Sequence, residues 1–322
     1  MKTVQTVTGN VKTEDLGFTL MHEHLVSSCA GIPENYPQIY IEDCFGRALK
    51  DLKEMKENGI DTVVEATPYD LGRDVKMLKR LSEASGVNII ACTGFFLEPS
   101  PMLGALTVRQ FAQLFIDDIT KGIAGTGIKA GIIKTAMDKE GPTRGREIIH
   151  RAVAIASNET GMPIMLHSYP QAEMGRHQLR ILKEENVNLE RVKIDHCLET
   201  TDMDYLCWLG SQGCWLGVDR LPLITDENTY AVATETRIKT IKKMIDAGLS
   251  DRMLLSHDFM STSTMFDHMP SEREQEYIYG INPERFLFLQ KRAFKVLGEM
   301  GISEKTLTKI CIDNPRRFFE GC

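Results

Sequence analysis

Two hydrophobic rhythms alternate along the chain. Short apolar runs at Phe18 to Leu25, Thr62 to Thr67, Asn88 to Phe95 and Ala130 to Ala136 read as strands. So do Pro163 to Tyr169, Val192 to His196, Trp215 to Asp219 and Met253 to Phe259. Between them apolar positions recur at helical spacing, over Asp43 to Asn58, Asp74 to Ser85, Val108 to Lys121 and Arg144 to Thr160. The same spacing covers Gly175 to Asn186, Asp202 to Ser211 and Asn228 to Ala247. Glycines at 59, 86, 161, 213 and 248 follow these segments and suit helix C-terminal stops. Strands alternating with helices imply parallel βαβ units, and eight such units predict a closed α/β barrel, the (β/α)8 TIM barrel. No Gly-x-Gly-x-x-Gly follows the first strand and no Walker sequence is present, which weighs against a nucleotide-binding open sheet.

Two segments lie outside the rhythm. Residues 1–17 are polar and read as a short N-terminal hairpin or a flap beneath the barrel. Residues 260–285 read as a long loop after the last strand, where it would overhang the active face. Helical patterns close the chain at about Pro283 to Met300 and Ser303 to Phe319. No linker or low-complexity tract interrupts residues 1–322, so one domain is expected.

Composition narrows the function classes. A net charge of −7 and a pI near 5.7 argue against a nucleic-acid or anionic-membrane surface. There is no apolar run of transmembrane length and no apolar segment near the N-terminus of signal-peptide type, so the expected location is the cytoplasm. Eight cysteines are scattered without a Cys-x-x-Cys pair and read as small buried hydrophobes, as do most of the 16 methionines. Cys197 is the cysteine that directly follows a candidate ligand.

The chemistry is concentrated at strand ends. His22 and His24, in Leu20-Met21-His22-Glu23-His24-Leu25, fall on one face of a strand and could bind one divalent metal through neutral ring nitrogens, with Glu23 on the other face. Four further runs end in polar groups, at Lys134, His167, His196 and Asp258. Any one of these placements is ordinary. Five together need a common cause, and a parallel barrel provides it by opening every strand's C-terminal end onto one rim.

With these residues in place, the chain resembles the phosphotriesterase-like branch of the amidohydrolase superfamily, which includes the phosphotriesterase-like lactonases. The resemblance runs nearly end to end. It rests on Gly17 to Leu25, Leu71-Gly72-Arg73-Asp74, Ala91-Cys92-Thr93-Gly94 and Lys129 to Lys134. It continues through Pro163 to His167, Gly217-Val218-Asp219-Arg220, Leu255-Ser256-His257-Asp258 and Asn314 to Phe319.

The resemblance implies a binuclear centre. His22, His24 and Asp258 would hold a buried alpha metal, and His167 and His196 an exposed beta metal. Lys134, carbamylated, would bridge the two. This resolves an electrostatic difficulty, because a free ammonium beside two dications is unfavourable and has no lone pair to donate. The cofactors implied are two divalent ions, zinc first, with cobalt, manganese or iron as alternatives. A pair about 3.5–4 Å apart acidifies a bridging water, whose hydroxide would attack the substrate while Asp258 takes its proton. Arg220 would steady Asp219 or face the pocket.

The chain departs from the lactonase pattern after Thr93-Gly94, where Phe96 stands at the place of an expected tyrosine. Phe96 lacks the hydroxyl donor but could pack against an apolar acyl or aryl group. Met265, Phe266 and Tyr279, apolar or aromatic side chains in a polar loop, would line the same pocket. The leading expectation is hydrolysis of lactones or related esters with weak phosphotriester turnover. The alternatives are a phosphotriester, ester or amide hydrolase with the same metals, and a non-catalytic metal-binding barrel. The partners expected are a small-molecule lactone or ester and a second copy of the chain in a homodimer, with no nucleic acid and no membrane.

Overall fold

The computed structural model describes residues 2–39, 43–100, 103–222, 232–263 and 282–321. Among these residues nine parallel strands follow a two-stranded N-terminal hairpin, β1 (Thr3–Thr6) and β2 (Gly9–Lys12). They are β3 (Phe18–Ser27), β4 (Ile60–Glu65), β5 (Asn88–Gly94), β6 (Ile132–Ala136) and β7 (Ile164–His167). Then come β8 (Val192–Ile194), β9 (Trp215–Val218), β10 (Met253–Leu255) and β11 (Met260–Ser263). Each pairs with its sequence neighbour from β3 to β10, and β11 returns to pair with β3.

β10 and β11 are two halves of one barrel strand, interrupted at Ser256–Phe259. The lower half pairs with β9 and the upper half with β3. Two backbone bonds stitch the interruption to β3, Asp258 N–H to the His22 carbonyl at 3.0 Å and His24 N–H to the Phe259 carbonyl at 2.9 Å. The expected (β/α)8 barrel is therefore closed. The expected loop from residue 260 is corrected at its start, because Met260–Ser263 is the strand that closes the barrel. Residues 264–281, with Met265, Phe266 and Tyr279, lie outside the described residues.

Helices cover the outside where the periodicity predicts them, among them Cys44–Glu57, Arg144–Thr160 and Met203–Ser211. Local chemistry starts them. Asp74 accepts from the amides of Lys76 and Met77, Asp202 does the same at Asp204 and Tyr205, and Thr107 forms a capping box with Gln110. The five glycines read as helix stops all have positive φ. The predicted helix 228–247 is described only from Thr234, to Asp246. The first C-terminal pattern passes from a 3-10 turn, Arg285–Leu287, through a wider π turn at Leu289–Ala293 into the helix Phe294–Glu299, and the second joins two short α-helical pieces through a π turn at Lys309–Asp313.

Most apolar burial lies between strands and helices, with Leu20, Ile133, Leu166, Leu182 and Leu209 among the residues there. A smaller cluster fills the barrel itself, including Met21, Ile90, Ile132, Met165, Trp215 and Leu254. The hairpin closes the bottom, where Val4 and Leu16 meet Phe318 and Phe319. The first strand departs from strict alternation. Its register against β4 slips between Leu20 and Glu23, a bulge of the kind that re-aims side chains near functional sites. Met21 and His22, both within the slip, face the interior, and His24 reaches it just beyond.

Candidate metal centre

His22, His24, Lys134, His167, His196 and Asp258 come from five different places in the sequence and meet at the upper end of the barrel. All but Asp258 are buried. Asp258 Oδ1 lies 3.4 Å from His22 Nε2 and 3.4 Å from His24 Nε2. These three side chains could hold a metal ion together. Lys134 Nζ is 2.9 Å from His22 Nε2. His196 Nε2 is 2.7 Å from His167 Nδ1.

The other nitrogen of each ring lies beside a carboxylate or a hydroxyl. His22 Nδ1 lies 3.0 Å from Asp195 and 3.6 Å from Asp219. His196 Nδ1 contacts Asp219 at 2.7 Å, and His167 Nε2 lies 3.4 Å from Asp138. For His24 the chain of donors is explicit. Thr67 Oγ1 donates to Glu65 at 2.6 Å, so it accepts from His24 Nδ1 at 2.7 Å. Carboxylate or hydroxyl partners of this kind fix the tautomer and orient an imidazole toward a metal. In the tautomers that keep the proton on those nitrogens, His22 Nε2, His24 Nε2, His196 Nε2 and His167 Nδ1 carry the lone pairs.

That assignment tests whether a cation fits. In those tautomers His196 Nε2 and His167 Nδ1, 2.7 Å apart, turn two lone pairs toward each other, an arrangement that a cation beside them relieves. Likewise, the Nε2 lone pairs of His22 and His24 face a carboxylate oxygen. The donor set, neutral imidazoles and one carboxylate, is that of zinc and similar divalent metals. The residues therefore fit metal ions.

The electrostatics agree. Burial, reinforced by the Lys134 charge, takes His22 down to about 3. Burial also lowers His167 and His196, aided by the Arg220 charge. All three are thus neutral, ligand-competent rings at ordinary pH. Burial lowers Lys134 too, against the opposing pull of Asp258 and Asp195. For Asp258 burial works upward but is outweighed by His22, His24, His196 and Arg220, so its carboxyl lies well below its ordinary range. It is ionised.

Backbone features place these groups. Glu23, the middle residue of the His-Glu-His run, accepts from Ser256 Oγ at 2.7 Å, His257 N–H at 2.8 Å, His257 Nδ1 at 2.7 Å and Phe259 N–H at 3.0 Å. It thereby ties down the interruption that presents Asp258. Gly94 passes so close to Lys134 that a Cβ there would overlap the lysine carbonyl oxygen. His196, Arg220 and Asp258 all have left-handed backbones, with φ of 66°, 58° and 55°. Such strain in non-glycine residues gathers at functional sites.

Of the two roles expected for Arg220, the structure shows the one facing the site, where it holds Asp258. Its Nε donates to Asp258 Oδ2 at 3.0 Å and its Nη1 to buried Glu199. Cys197 is turned away from the metal ligands, its thiol toward the Ile194 carbonyl at 3.3 Å. Phe96 does stand at the site, its ring edge-on to His167 with centroids 5.0 Å apart. The sequence reading missed Asp138, Glu65, Thr67, Asp195 and Glu199, and gave Glu23 no role. The available signal was polar residues inside or just beyond buried strand runs.

Residues 2–319 match the model of the phosphotriesterase family. The chain belongs to the phosphotriesterase family. It is a hydrolase, as the resemblance led one to expect. A phosphotriesterase homology protein of Mycobacterium tuberculosis is 35% identical over 334 residues, covering 99% of this chain and 98% of its own. An aryldialkylphosphatase of Saccharolobus solfataricus is 32% identical, covering 96% of this chain and 97% of its own. An N-acetyltaurine hydrolase of Homo sapiens is 27% identical, covering 98% and 97%. Among the described residues no helix is long and apolar enough to cross a membrane.

Proposed function

We propose that this member of the phosphotriesterase family is a binuclear metal-dependent hydrolase that opens lactones or cleaves related carboxylic esters, with phosphotriesters as secondary substrates. The observation that carries this reading is the convergence of His22, His24 and Asp258 on one point and of His167 and His196 on another, with the Lys134 amine against the first. His22, His24 and Asp258 hold one ion, His167 and His196 the other, zinc being the first candidate.

Lys134, carbamylated, would link the two. Burial lowers the pKa of Lys134 and so raises the share of neutral amine, the form that adds carbon dioxide. A nitrogen–carbon bond forms, one proton leaves for solvent, and the product carries one negative charge and two ligand oxygens. When bound, the divalent ions supply Lewis acidity and a nucleophilic hydroxide near neutral pH.

Asp258 is the proton acceptor. Arg220 holds its Oδ2, leaving Oδ1 turned into the site. Arg220 is in turn fixed by Glu199, so the carboxylate keeps one orientation. Phe96 forms an apolar wall beside His167, suited to an uncharged acyl or aryl group. It cannot donate a hydrogen bond to a lactone ring. A second reading keeps the metals and makes phosphotriesters or amides the main substrates. It is favoured by the names of the archaeal and human relatives.

Metal analysis followed by a panel of lactones, aryl esters, amides and paraoxon-like triesters separates these readings. Two ions per chain and the highest kcat/KM on a lactone or ester are expected. A triester or amide turned over fastest moves the conclusion to the second reading. A chain holding one ion or none after reconstitution with metal and bicarbonate refutes the binuclear proposal.

A further inference from the structure

The barrel interior holds one ion pair that the proposed chemistry does not use. Lys193 and Asp195 lie two residues apart on and just past β8, so both point inward. Both are wholly buried, with His22, Lys134 and Asp219 as their charged or polar neighbours. The Lys193 ammonium contacts Asp195 Oδ1, and the other carboxylate oxygen lies 3.0 Å from His22 Nδ1. Lys193 Nζ also reaches across the barrel to the Met21 carbonyl on β3, at 2.9 Å.

Met21 precedes His22 and lies in the bulge, where pairing with β4 is out of step. Lys193 therefore gives this carbonyl a donor across the barrel, while Asp195 holds the ring of the next residue. The same couple thus grips His22 by its backbone and by its imidazole. Gly217 makes room for it, since a Cβ at that position would overlap Asp195.

A buried ion pair is a poor device for stability. Taking both charges out of water is costly, and a well-packed apolar replacement is often neutral or stabilising. Strand-to-strand cohesion here needs no such pair, because β8 already pairs with β7 and β9 through its backbone. We infer instead that the Lys193–Asp195 couple is a positioning unit that sets His22 for the ion shared with His24 and Asp258. It acts through His22 and touches no substrate. This inference rests on the binuclear reading above.

The test uses full-length protein loaded with zinc and, separately, with cobalt. Lys193→Met combined with Asp195→Leu removes both charges without leaving either unpaired. The variant is expected to keep the wild-type Tm or exceed it. It should hold one ion as tightly as wild type and the other roughly 10- to 100-fold more weakly, the usual effect of losing an outer partner of a metal-bound histidine. The visible spectrum of the cobalt form should change as well. Should the double variant fail to fold, Asp195→Asn, which keeps the shape, is expected to show the same selective weakening of one ion.

Unchanged affinity for both ions with a lowered Tm would make the couple structural and overturn the inference, leaving the binuclear reading intact. A wild-type chain that binds no ions would overturn both.

Discussion

Glu23→Gln is the most informative single substitution, because it tests how the barrel presents Asp258 without touching a proposed ligand. Glu23 is fully buried and receives four donors from Ser256, His257 and Phe259. Three of them meet Oε1 and one meets Oε2. Glutamine keeps an oxygen for the first three but loses the charge, which weakens each bond by about 1 kcal/mol. Its amide nitrogen then faces the Phe259 N–H, a donor against a donor, costing roughly 1–3 kcal/mol. The total is about 4–6 kcal/mol, at and just above the range found when one member of a buried charged network is removed. For 322 residues the unfolding entropy is roughly 0.7 kcal/mol per kelvin, so Tm should fall by about 6–9 °C. The loss should extend to the site, since Asp258 and Phe259 are bonded to the His22 carbonyl and the His24 amide. Differential scanning calorimetry of chelated and metal-loaded protein gives both readings. A Tm within about 1 °C of wild type, with unchanged metal affinity, would refute the claim that Glu23 secures the strand interruption.

Lys134→Ala should remove the link between the two ion sites, lowering metal content and activity. Added short carboxylic acids should partly restore both, and full metal content without them would exclude the bridging role. Asp258→Asn keeps the side chain's shape but not its charge. It should lower kcat by at least roughly 10²-fold at saturating metal with circular dichroism unchanged, whereas near-normal kcat would move proton transfer to another group. His150 tests linkage away from the metals. Burial takes it from 6.5 to about 4, so the unfolded chain takes up its proton first as pH falls. Its contribution, roughly 3 kcal/mol, is complete above pH 6.5 and lost as pH drops toward about 4. His150→Gln should flatten the fall in Tm of chelated protein across that window, and an unaltered pH dependence would contradict the assignment.

The alternation of short apolar runs with helical periodicities determined the barrel, because a parallel sheet covered by helices leaves that pattern along the chain itself. Strand ends also marked His22, His24, Lys134, His167, His196 and Asp258, since a barrel carries every such end to one rim. Boundaries drifted by a residue or two, and the last strand was read as one piece. Its interruption is invisible in Met253 to Phe259, for it depends on Glu23 more than 200 positions away in the chain. The same holds for the partners of each imidazole. Asp138, Asp195, Asp219 and Thr67 are unremarkable by spacing, and only folding sets them against a particular ring nitrogen. Alternation on β3 would place Met21 opposite His22, and the bulge alone turns both inward. Arg220 likewise stands next to Asp219 in the sequence, yet its left-handed backbone carries the guanidinium to Asp258 and Glu199. Local patterns record which residues face a core. Which nitrogen meets which oxygen is decided by contacts between strands distant in sequence, and those exist only once the barrel has closed.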